Sequence, residues 1–266
     1  MTYSTITFKA VEAGIGLLTL NREKRLNAIN LDMLDDLYRL FHSLDDQQDI
    51  RVIILTGAGR GFCSGADLKD KRLASEEGLK AFASASVHLE VIQKKYSGVI
   101  KEMRRISQPI IAAVNGPAAG GGMSMALAAD IIIGSPGAKF TPSFINIGLS
   151  GGELGTTYFL PRLIGPSRTS EILMTGRTVD AEEAYRIGIL CRLVPEEELL
   201  SSALETARQM VGKTPLGLRL TKETMRQNLD APSLENAIEL ENRNQSILCK
   251  APEFFEAVSR FNKKAD

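Results

Sequence analysis

The segment Ile110-Ile-Ala-Ala-Val-Asn-Gly-Pro-Ala-Ala-Gly-Gly-Gly122 joins a run of apolar residues to a loop that ends in three glycines. A short apolar run with β-branched residues is typical of a strand buried on both faces of a sheet. Val52-Ile-Ile-Leu-Thr56, closed by Gly57, repeats this signature, and Asp130-Ile-Ile-Ile133 gives a third such strand. Helical patterns lie between the strands, so the sequence predicts an α/β fold.

Capping and turn residues predict the elements around this core. Ile6 to Asn21 alternates well enough to form a hairpin around Ala13-Gly14. Asn30 is placed to N-cap an amphipathic helix. Further helical patterns cover 76–106 and Met123 to Ala129.

The last third of the chain is predicted to be helical. Strand signals fade after Ser167, and glycines or prolines separate five predicted helices: 167–175, 180–187, 196–212, 215–228 and 233–262. We therefore expect a sheet-based core over 1–195 and a helical C-terminal region over 196–266.

Composition excludes several classes of protein. The chain has 266 residues, 44% of them hydrophobic and 24% charged, as in an ordinary globular protein. Lys plus Arg (32) equals Asp plus Glu (32), so no net field attracts nucleic acid or an anionic membrane. The uncharged stretch Pro109 to Ala129 is broken by Pro117 and three consecutive glycines, which disfavours a membrane span. We expect neither a nucleic-acid nor a membrane partner.

The cysteines and histidines are few and scattered. Cys63, Cys191 and Cys249 are odd in number and far apart, which favours free thiols in a reducing compartment, so we expect a cytoplasmic protein. His42 and His88 are too isolated to predict a metal site.

Two glycine-rich loops, Gly57 to Leu68 and Asn115 to Met123, follow buried strands. Backbone N–H groups at the start of a helix are unsatisfied and favour negative charge. Two such loops side by side could direct two N–H groups at one developing anion, and loss of one donor typically costs ~2.7–4 kcal/mol of transition-state stabilisation. The spacing fits equally well an alternative in which the glycines only allow close packing. Neither loop carries the dinucleotide or P-loop pattern, which disfavours NAD and ATP.

Several motifs together resemble the crotonase superfamily, the enoyl-CoA hydratases and isomerases. Arg60-Gly-Phe-Cys-Ser-Gly-Ala-Asp-Leu-Lys69 is similar to the family's first oxyanion loop, and Ile110 to Gly122 resembles its second. Asn21 to Asn30 resembles an early CoA-contacting turn, and Leu160-Pro-Arg-Leu-Ile-Gly165 also fits. The resemblance runs from about residue 6 to 262.

This resemblance implies a fold and a site. The fold would be a spiral of ββα units with C-terminal helices that build a homotrimer or a dimer of trimers. The substrate would be an acyl-CoA, and coenzyme A would enter as part of it, with no separate cofactor. The thioester carbonyl would lie between the N–H groups of Ala66 and Gly121. The resemblance also gives five candidate CoA contacts: Lys24, Arg25, Asp67, Leu68 and Lys69. For the first two, a solvated turn is an equally good interpretation.

The departures from the family pattern bear on the mechanism. Hydratases of this family use two glutamates as general acid and base. At the matching positions this chain has Ser124 and Phe144, which we expect only to line the substrate site. Glu153 is the nearby carboxylate, at a position that matches an acidic residue of dienoyl-CoA isomerases across a one-residue gap. We expect it to be catalytic; the alternative is a loop residue paired with an arginine such as Arg162.

These observations predict an acyl-CoA enzyme that stabilises a thioester enolate. Hydration of a 2-enoyl-CoA, as in fatty-acid metabolism, is the first expectation. Isomerisation by one carboxylate is the runner-up, since moving a double bond needs only one base. A catalytically impaired acyl-CoA-binding protein, and thioester hydrolysis or decarboxylation on the same loops, remain open.

Overall fold

In the computed structural model, which describes residues 2–44, 47, 49–72, 75, 76, 80 and 83–262, the core is a six-stranded sheet. Its strand order is β1-β2-β3-β4-β6-β9. Only β1 and β2 pair antiparallel, as the predicted hairpin; every other neighbouring pair is parallel. The strands are β1 (Ile6–Glu12), β2 (Gly14–Leu20), β3 (Ile50–Gly57), β4 (Ile110–Val114), β6 (Ile131–Gly134) and β9 (Arg192–Leu193).

The three predicted core strands are confirmed and are adjacent. The β4 strand lies between β3 and β6, and all five of its residues are buried. This explains its uninterrupted apolar sequence, because helices or loops cover both faces of a parallel sheet.

A second, three-stranded sheet was missed by the sequence analysis. It has the order β5-β7-β8, formed by β5 (Pro117–Ala119), β7 (Lys139–Thr141) and β8 (Val179–Asp180). These strands are two or three residues long, too short to give a detectable alternation of polar and apolar residues. The β5 strand lies within the second glycine loop, so this small sheet helps to hold that loop in place.

The helices surround the two sheets. They are α1 (Leu31–Ser43), α2 (Ala85–His88), α3 (Lys94–Arg105), α4 (Gly121–Ala128), α5 (Ser143–Asn146), α6 (Thr156–Ile164), α7 (Pro166–Thr175), α8 (Ala181–Ile187), α9 (Leu199–Val211), α10 (Pro215–Asn228), α11 (Leu234–Leu248) and α12 (Pro252–Asn262). A π-helical turn, Leu89–Gln93, joins α2 to α3, and 3₁₀ turns lie at Glu23–Arg25 and Glu196–Glu198. The predicted cap is confirmed, since the side chain of Asn30 accepts a hydrogen bond from the N–H of Met33.

Two helix predictions are corrected. The helix expected over 233–262 is two helices, α11 and α12, because Pro252 has no N–H to continue the first and disfavours helix in the residue before it. The helix expected over 76–106 is divided into α2, the π-turn and α3; 77–79, 81 and 82 lie outside the described residues. The helices α5 and α6 were not predicted.

Helix α10, in the C-terminal region, is attached to the core through the side chains of a lysine and an arginine. Lys222 is 7% exposed, and its Nζ lies 2.9 Å from an Asp130 carboxylate oxygen and 2.8 Å from the Gln108 carbonyl oxygen. Arg226 donates to the carbonyl of Arg104, at the end of α3. Basic side chains are favourable at a helix C-terminus, so these contacts satisfy the end of α3 and fix α10. The division into a sheet-based core over 1–195 and a helical region over 196–266 stays a prediction.

Candidate active site

The two glycine-rich loops lie against each other as adjacent backbone segments. Cys63 pairs with Ala118 in a parallel bridge. The N–H of Cys63 donates to the Pro117 carbonyl at 3.0 Å, and the N–H of Ala119 donates to the Cys63 carbonyl at 2.9 Å. The two loops therefore form one rigid unit beyond the carboxyl ends of β3 and β4.

Two asparagine side-chain amides fix the first loop. The side-chain Nδ2 of Asn27 donates to the carbonyls of Ala58 and Gly61, both at 2.9 Å. Asn115 donates to the carbonyls of Gly57 and Gly59, at 3.0 and 2.8 Å. Asn27 lies in the motif Asn21 to Asn30, and Asn115 lies in the motif Ile110 to Gly122. Their amide groups have a structural role, since they bind the carbonyl groups of the first loop.

The N–H groups of Ala66 and Gly121 are left without an acceptor within the described part of the chain. Ala66 pairs with Ile29, but the hydrogen bonds of this bridge run from Ile29 to the Gly65 carbonyl and from Asp67 to the Ile29 carbonyl. Gly121 is the first residue of α4, where the N–H has no partner inside the helix. These are the two N–H groups that the resemblance assigns to the thioester carbonyl oxygen, and in the described structure neither donates to another group.

Close packing accounts for some of the glycines, and a backbone conformation that favours glycine accounts for others. A Cβ added to Gly122 would lie 2.1 Å from the Cys63 carbonyl oxygen, so this glycine is required for α4 to pack on the first loop. Gly65 has φ +90°, which only glycine adopts readily. A Cβ there would lie 2.8 Å from the Ala119 carbonyl oxygen and 3.4 Å from the Gly121 nitrogen.

The candidate CoA contacts surround an ion-paired carboxylate. Asp67 is buried, with its two oxygens 2.8 Å from Arg22 and 2.7 Å from Arg25. Burial by itself raises the pKa of Asp67, but the hydrogen bonds from Arg25 and Arg22 outweigh burial and lower it. The carboxylate of Asp67 is therefore occupied in holding the Arg22–Arg25 turn against the loop. Lys24, Leu68 and Lys69 are exposed, and their contact with substrate stays a prediction.

The comparisons with known proteins identify the family. The family model described as enoyl-CoA hydratase/isomerase matches residues 10–266. The chain belongs to the enoyl-CoA hydratase/isomerase family. It is 44% identical over 246 residues to a probable enoyl-CoA hydratase of Mycobacterium tuberculosis, covering 91% of this chain and 85% of that protein. It is 32% identical over 259 residues to the 1,2-epoxyphenylacetyl-CoA isomerase of Escherichia coli, covering 96% and 94%.

A solved structure shows the same fold. A probable enoyl-CoA hydratase/isomerase from Mycobacterium abscessus superimposes with a TM-score of 0.89 at 37% identity, covering 98% of this chain and 97% of that one. The predicted crotonase-like α/β fold with C-terminal helices is confirmed.

Ser124 and Phe144, which the resemblance matches to the glutamates of hydratases, lie against the second loop. Ser124 is fully buried in α4, and its hydroxyl donates to the Gly120 carbonyl at 3.3 Å. Phe144 is 7% exposed, and its ring carbon Cε1 would lie 3.5 Å from a Cβ on Gly120. Neither side chain carries a carboxylate, so neither can act as a carboxylate acid or base.

Glu153 lies half-buried in the loop before α6. Its Oε1 accepts a hydrogen bond from Gln93 Nε2 at 2.6 Å, and its N–H donates to the Thr156 hydroxyl at 3.1 Å. The alternative pairing with Arg162 is wrong, because Arg162 binds Asp230 at 2.8 Å. Among the described ion pairs none includes Glu153, so its contact with Gln93 leaves the carboxylate charge unneutralised.

Tyr96 is a buried side chain in the same region. Its hydroxyl donates to the Ile29 carbonyl at 3.0 Å. The pKa of Tyr96 is raised, first by burial and then by the negative charges of Asp70, Asp67, Cys63 as thiolate and Glu153. Asp70 is itself bound by the N–H groups of Leu31 and Arg72. Within the described residues, the carboxylate of Glu153 is bound by the Gln93 amide and by neither an arginine side chain nor a backbone N–H group.

Four contributing residues were missed by the sequence analysis: Arg22, Ile29, Gln93 and Tyr96. No local pattern could have identified Gln93 or Tyr96, because their partners are distant in sequence. Cys63 is fully buried, and burial raises its pKa to about 12. Across the described residues, no group of three His, Cys, Asp or Glu side chains is arranged to hold a metal ion.

Proposed function

We propose that this protein binds an acyl-CoA thioester with its carbonyl oxygen between the N–H groups of Ala66 and Gly121, and that Glu153 moves the proton. The observation that carries the proposal is the pair of unused N–H donors on two loops that are locked together. Preorganised donors of this kind stabilise the negative charge that develops on the carbonyl oxygen when an enolate forms.

Hydration of a 2-enoyl-CoA is the reaction that we assign. Water adds its oxygen to C3, the C2–C3 electron pair moves onto the thioester as an enolate, and a proton then returns to C2. Glu153 takes the proton from water and delivers one to C2, acting as base and then as acid. The name of the Mycobacterium tuberculosis relative supports this reaction.

Isomerisation of a 3-enoyl-CoA is the second candidate, and it is favoured by the isolation of Glu153. The carboxylate would remove a proton from C2, the electron pair would move to the carbonyl oxygen, and the proton would return at C4. This sequence is balanced without water and needs a single base.

Three further features belong to the proposal. Apolar side chains exposed on α10 to α12, such as Met225 (67%), Leu234 (69%) and Phe255 (59%), support assembly into a homotrimer or a dimer of trimers. Three free cysteines support a cytoplasmic location, where fatty-acid-type acyl-CoA substrates would be processed. Coenzyme A enters as part of the substrate, and no separate cofactor is required. None of the helices in the described residues is long and apolar enough to cross a membrane.

The proposal is tested by ultraviolet monitoring of the conjugated thioester. But-2-enoyl-CoA and 3-hexenoyl-CoA are given separately to the wild-type protein and to Glu153→Gln. Loss of the conjugated absorbance from the first substrate, abolished in the variant, supports hydration. Growth of that absorbance from the second supports isomerisation. Acyl-CoA binding with neither change, and with no exchange of C2 protons in D₂O, would overturn both and leave an acyl-CoA-binding protein.

A further inference from the structure

Gln93 is the last residue of the π-helical turn that precedes α3, and it reaches across to the loop that carries Glu153. Its Nε2 lies 2.6 Å from Glu153 Oε1, although the two residues are 60 positions apart in sequence. A π-helical turn inserts an extra residue into a helix, rotates the side chains that follow, and is frequent at functional sites. The π-helical turn therefore helps to direct the side-chain amide of Gln93 towards Glu153.

The same helical face reaches both halves of the site. Gln93 and Tyr96 are three residues apart, so their side chains lie on one face. Tyr96 donates to the carbonyl of Ile29, and Ile29 pairs with Ala66. One rigid element is thus hydrogen-bonded both to the segment behind the Ala66 donor and to the Glu153 carboxylate.

The backbone at Glu153 is held independently of Gln93. The N–H of Glu153 donates to the Thr156 hydroxyl, which in turn donates to the Glu153 carbonyl at 2.9 Å. The next residue, Leu154, has φ +49°, and its Cδ1 would lie 3.4 Å from a Cβ on Gly121. With the backbone fixed, rotation of the carboxylate is the remaining freedom, and the contact with Gln93 restricts it.

We infer that Gln93 is a positioning residue for Glu153, and this inference rests on the proposed function. The amide holds Oε1, so Oε2 is the oxygen that takes the proton and returns it. An amide donor is suited to this task because it orients the carboxylate without forming an ion pair. An arginine in the same place would neutralise the charge and weaken the base.

The test uses Gln93→Met, which has similar length and no donor, with Lys94→Met as its matched control. Lys94 is the next residue, half-exposed, and pairs with Glu90 on the helix surface at 2.5 Å. A positioned acid–base group contributes about 10²–10⁴-fold, so loss of its orientation is expected to lower kcat about tenfold or more. KM is expected to stay unchanged, and Lys94→Met is expected to match the wild type. A general loss of fold would instead lower the melting temperature of Gln93→Met or raise its KM.

Comparison of the two single variants separates this inference from the proposed function. Glu153→Gln is expected to be inactive, because it lacks the base itself, whereas Gln93→Met is expected to keep a reduced kcat, because it keeps the base and loses only its orientation. An inactive Glu153→Gln beside a fully active Gln93→Met would overturn the inference alone. An active Glu153→Gln would overturn the proposed role of Glu153 and the inference with it.

A second variant covers the case in which Gln93→Met does not fold. Gln93→Asn keeps the amide but shortens the side chain by one methylene, so the donor falls short of Oε1. A lowered kcat with unchanged KM supports the inference, and wild-type kcat overturns it.

Discussion

The Cα of Gly65 faces the amide nitrogen of Gly121 so closely that a Cβ on Gly65 would lie 3.4 Å from that nitrogen. This approach packs the first loop, at the residue before Ala66, against Gly121 of the second loop, although the two loops follow different strands. The geometry of the proposed anion site therefore depends on a glycine that is not itself a donor.

Gly65→Ala is expected to disrupt the site. Its φ of +90° disfavours any side chain, and the added Cβ would also meet the Ala119 carbonyl oxygen at 2.8 Å. Such backbone strain costs about 1–3 kcal/mol, so either the fold is destabilised by that amount or the loops separate and activity falls. Gly61→Ala is the control, because the nearest atom to its Cβ would be Leu26 Cδ2 at 3.6 Å, an ordinary van der Waals contact. Equal stability and activity in the two variants would contradict this prediction.

Gly121→Pro is expected to remove one anion donor while keeping the helix. Proline is well tolerated at the first position of a helix, and Gly121 occupies that position in α4. Loss of one such donor typically lowers kcat by about 10²–10³-fold. Gly121→Ala keeps the N–H and places a Cβ 3.1 Å from the flexible end of Ile29, so it is expected to retain most activity. Assays of both variants beside thermal unfolding check the prediction, and comparable losses in the two would argue for a steric effect.

Ser124→Ala is expected to leave turnover almost unchanged. The hydroxyl is fully buried and donates to the Gly120 carbonyl inside α4, so it has no proton-transfer role in the proposed mechanism. The informative comparison is with Glu153→Gln, which is expected to be inactive. If Ser124→Ala lost activity to the same extent with its melting temperature unchanged, proton transfer through the usual family position would have to be reconsidered.

Features that depend on neighbouring residues in the sequence could be predicted, whereas contacts between residues far apart in the sequence could not. The strands at Val52 to Thr56 and Ile110 to Val114 were predictable because a buried parallel strand has a local apolar signature. The assignment of Ala66 and Gly121 as donors came from motifs that resemble those of the family, and it stays a prediction. The Gln93–Glu153 contact was beyond prediction, since a hydrogen bond across 60 residues leaves no trace in either local pattern.

Asp67 shows the same limit. Its contact with CoA stays a prediction of the resemblance, while the pairing of Arg22 and Arg25 with its two carboxylate oxygens is seen only in the structure. Charge alone in a sequence does not distinguish a ligand contact from an internal ion pair, because both use the same residue types.

The cysteines are expected to differ in reactivity. Cys63 is fully buried with a pKa of about 12, so it holds almost no thiolate near neutral pH. Iodoacetamide is expected to modify exposed Cys191 and to spare Cys63 in the folded protein, while both react in denaturant. Peptide mapping by mass spectrometry checks this result. Modification of Cys63 at the rate of Cys191 in the folded state would show that the first loop opens in solution.

Asp67→Asn is expected to destabilise the protein in a pH-dependent way. The pKa of the folded-state carboxyl is below its ordinary value of 3.8, because the hydrogen bonds from Arg25 and Arg22 outweigh burial. A lowered pKa means that the unfolded chain binds the proton more tightly than the folded one. The stabilisation is therefore complete above the ordinary value and is lost as the pH falls through the folded-state pKa. Hydrogen bonds to a charged group contribute about 1.5–3 kcal/mol, and a loss of about 2 kcal/mol is expected at neutral pH.

Urea unfolding of the wild type and Asp67→Asn at several pH values measures this difference directly. The gap in unfolding free energy is expected to be constant from neutral pH to above 3.8 and to narrow below it. Asp32→Asn is the control, because Asp32 pairs with Arg72 on the surface and an exposed pair contributes at most about 1 kcal/mol. A gap that persists unchanged at low pH would show that Asp67 acts through shape and not through its charge. In that case the Arg22–Arg25 turn would have to be held by other contacts, such as the donation from Arg22 to the Ala28 carbonyl.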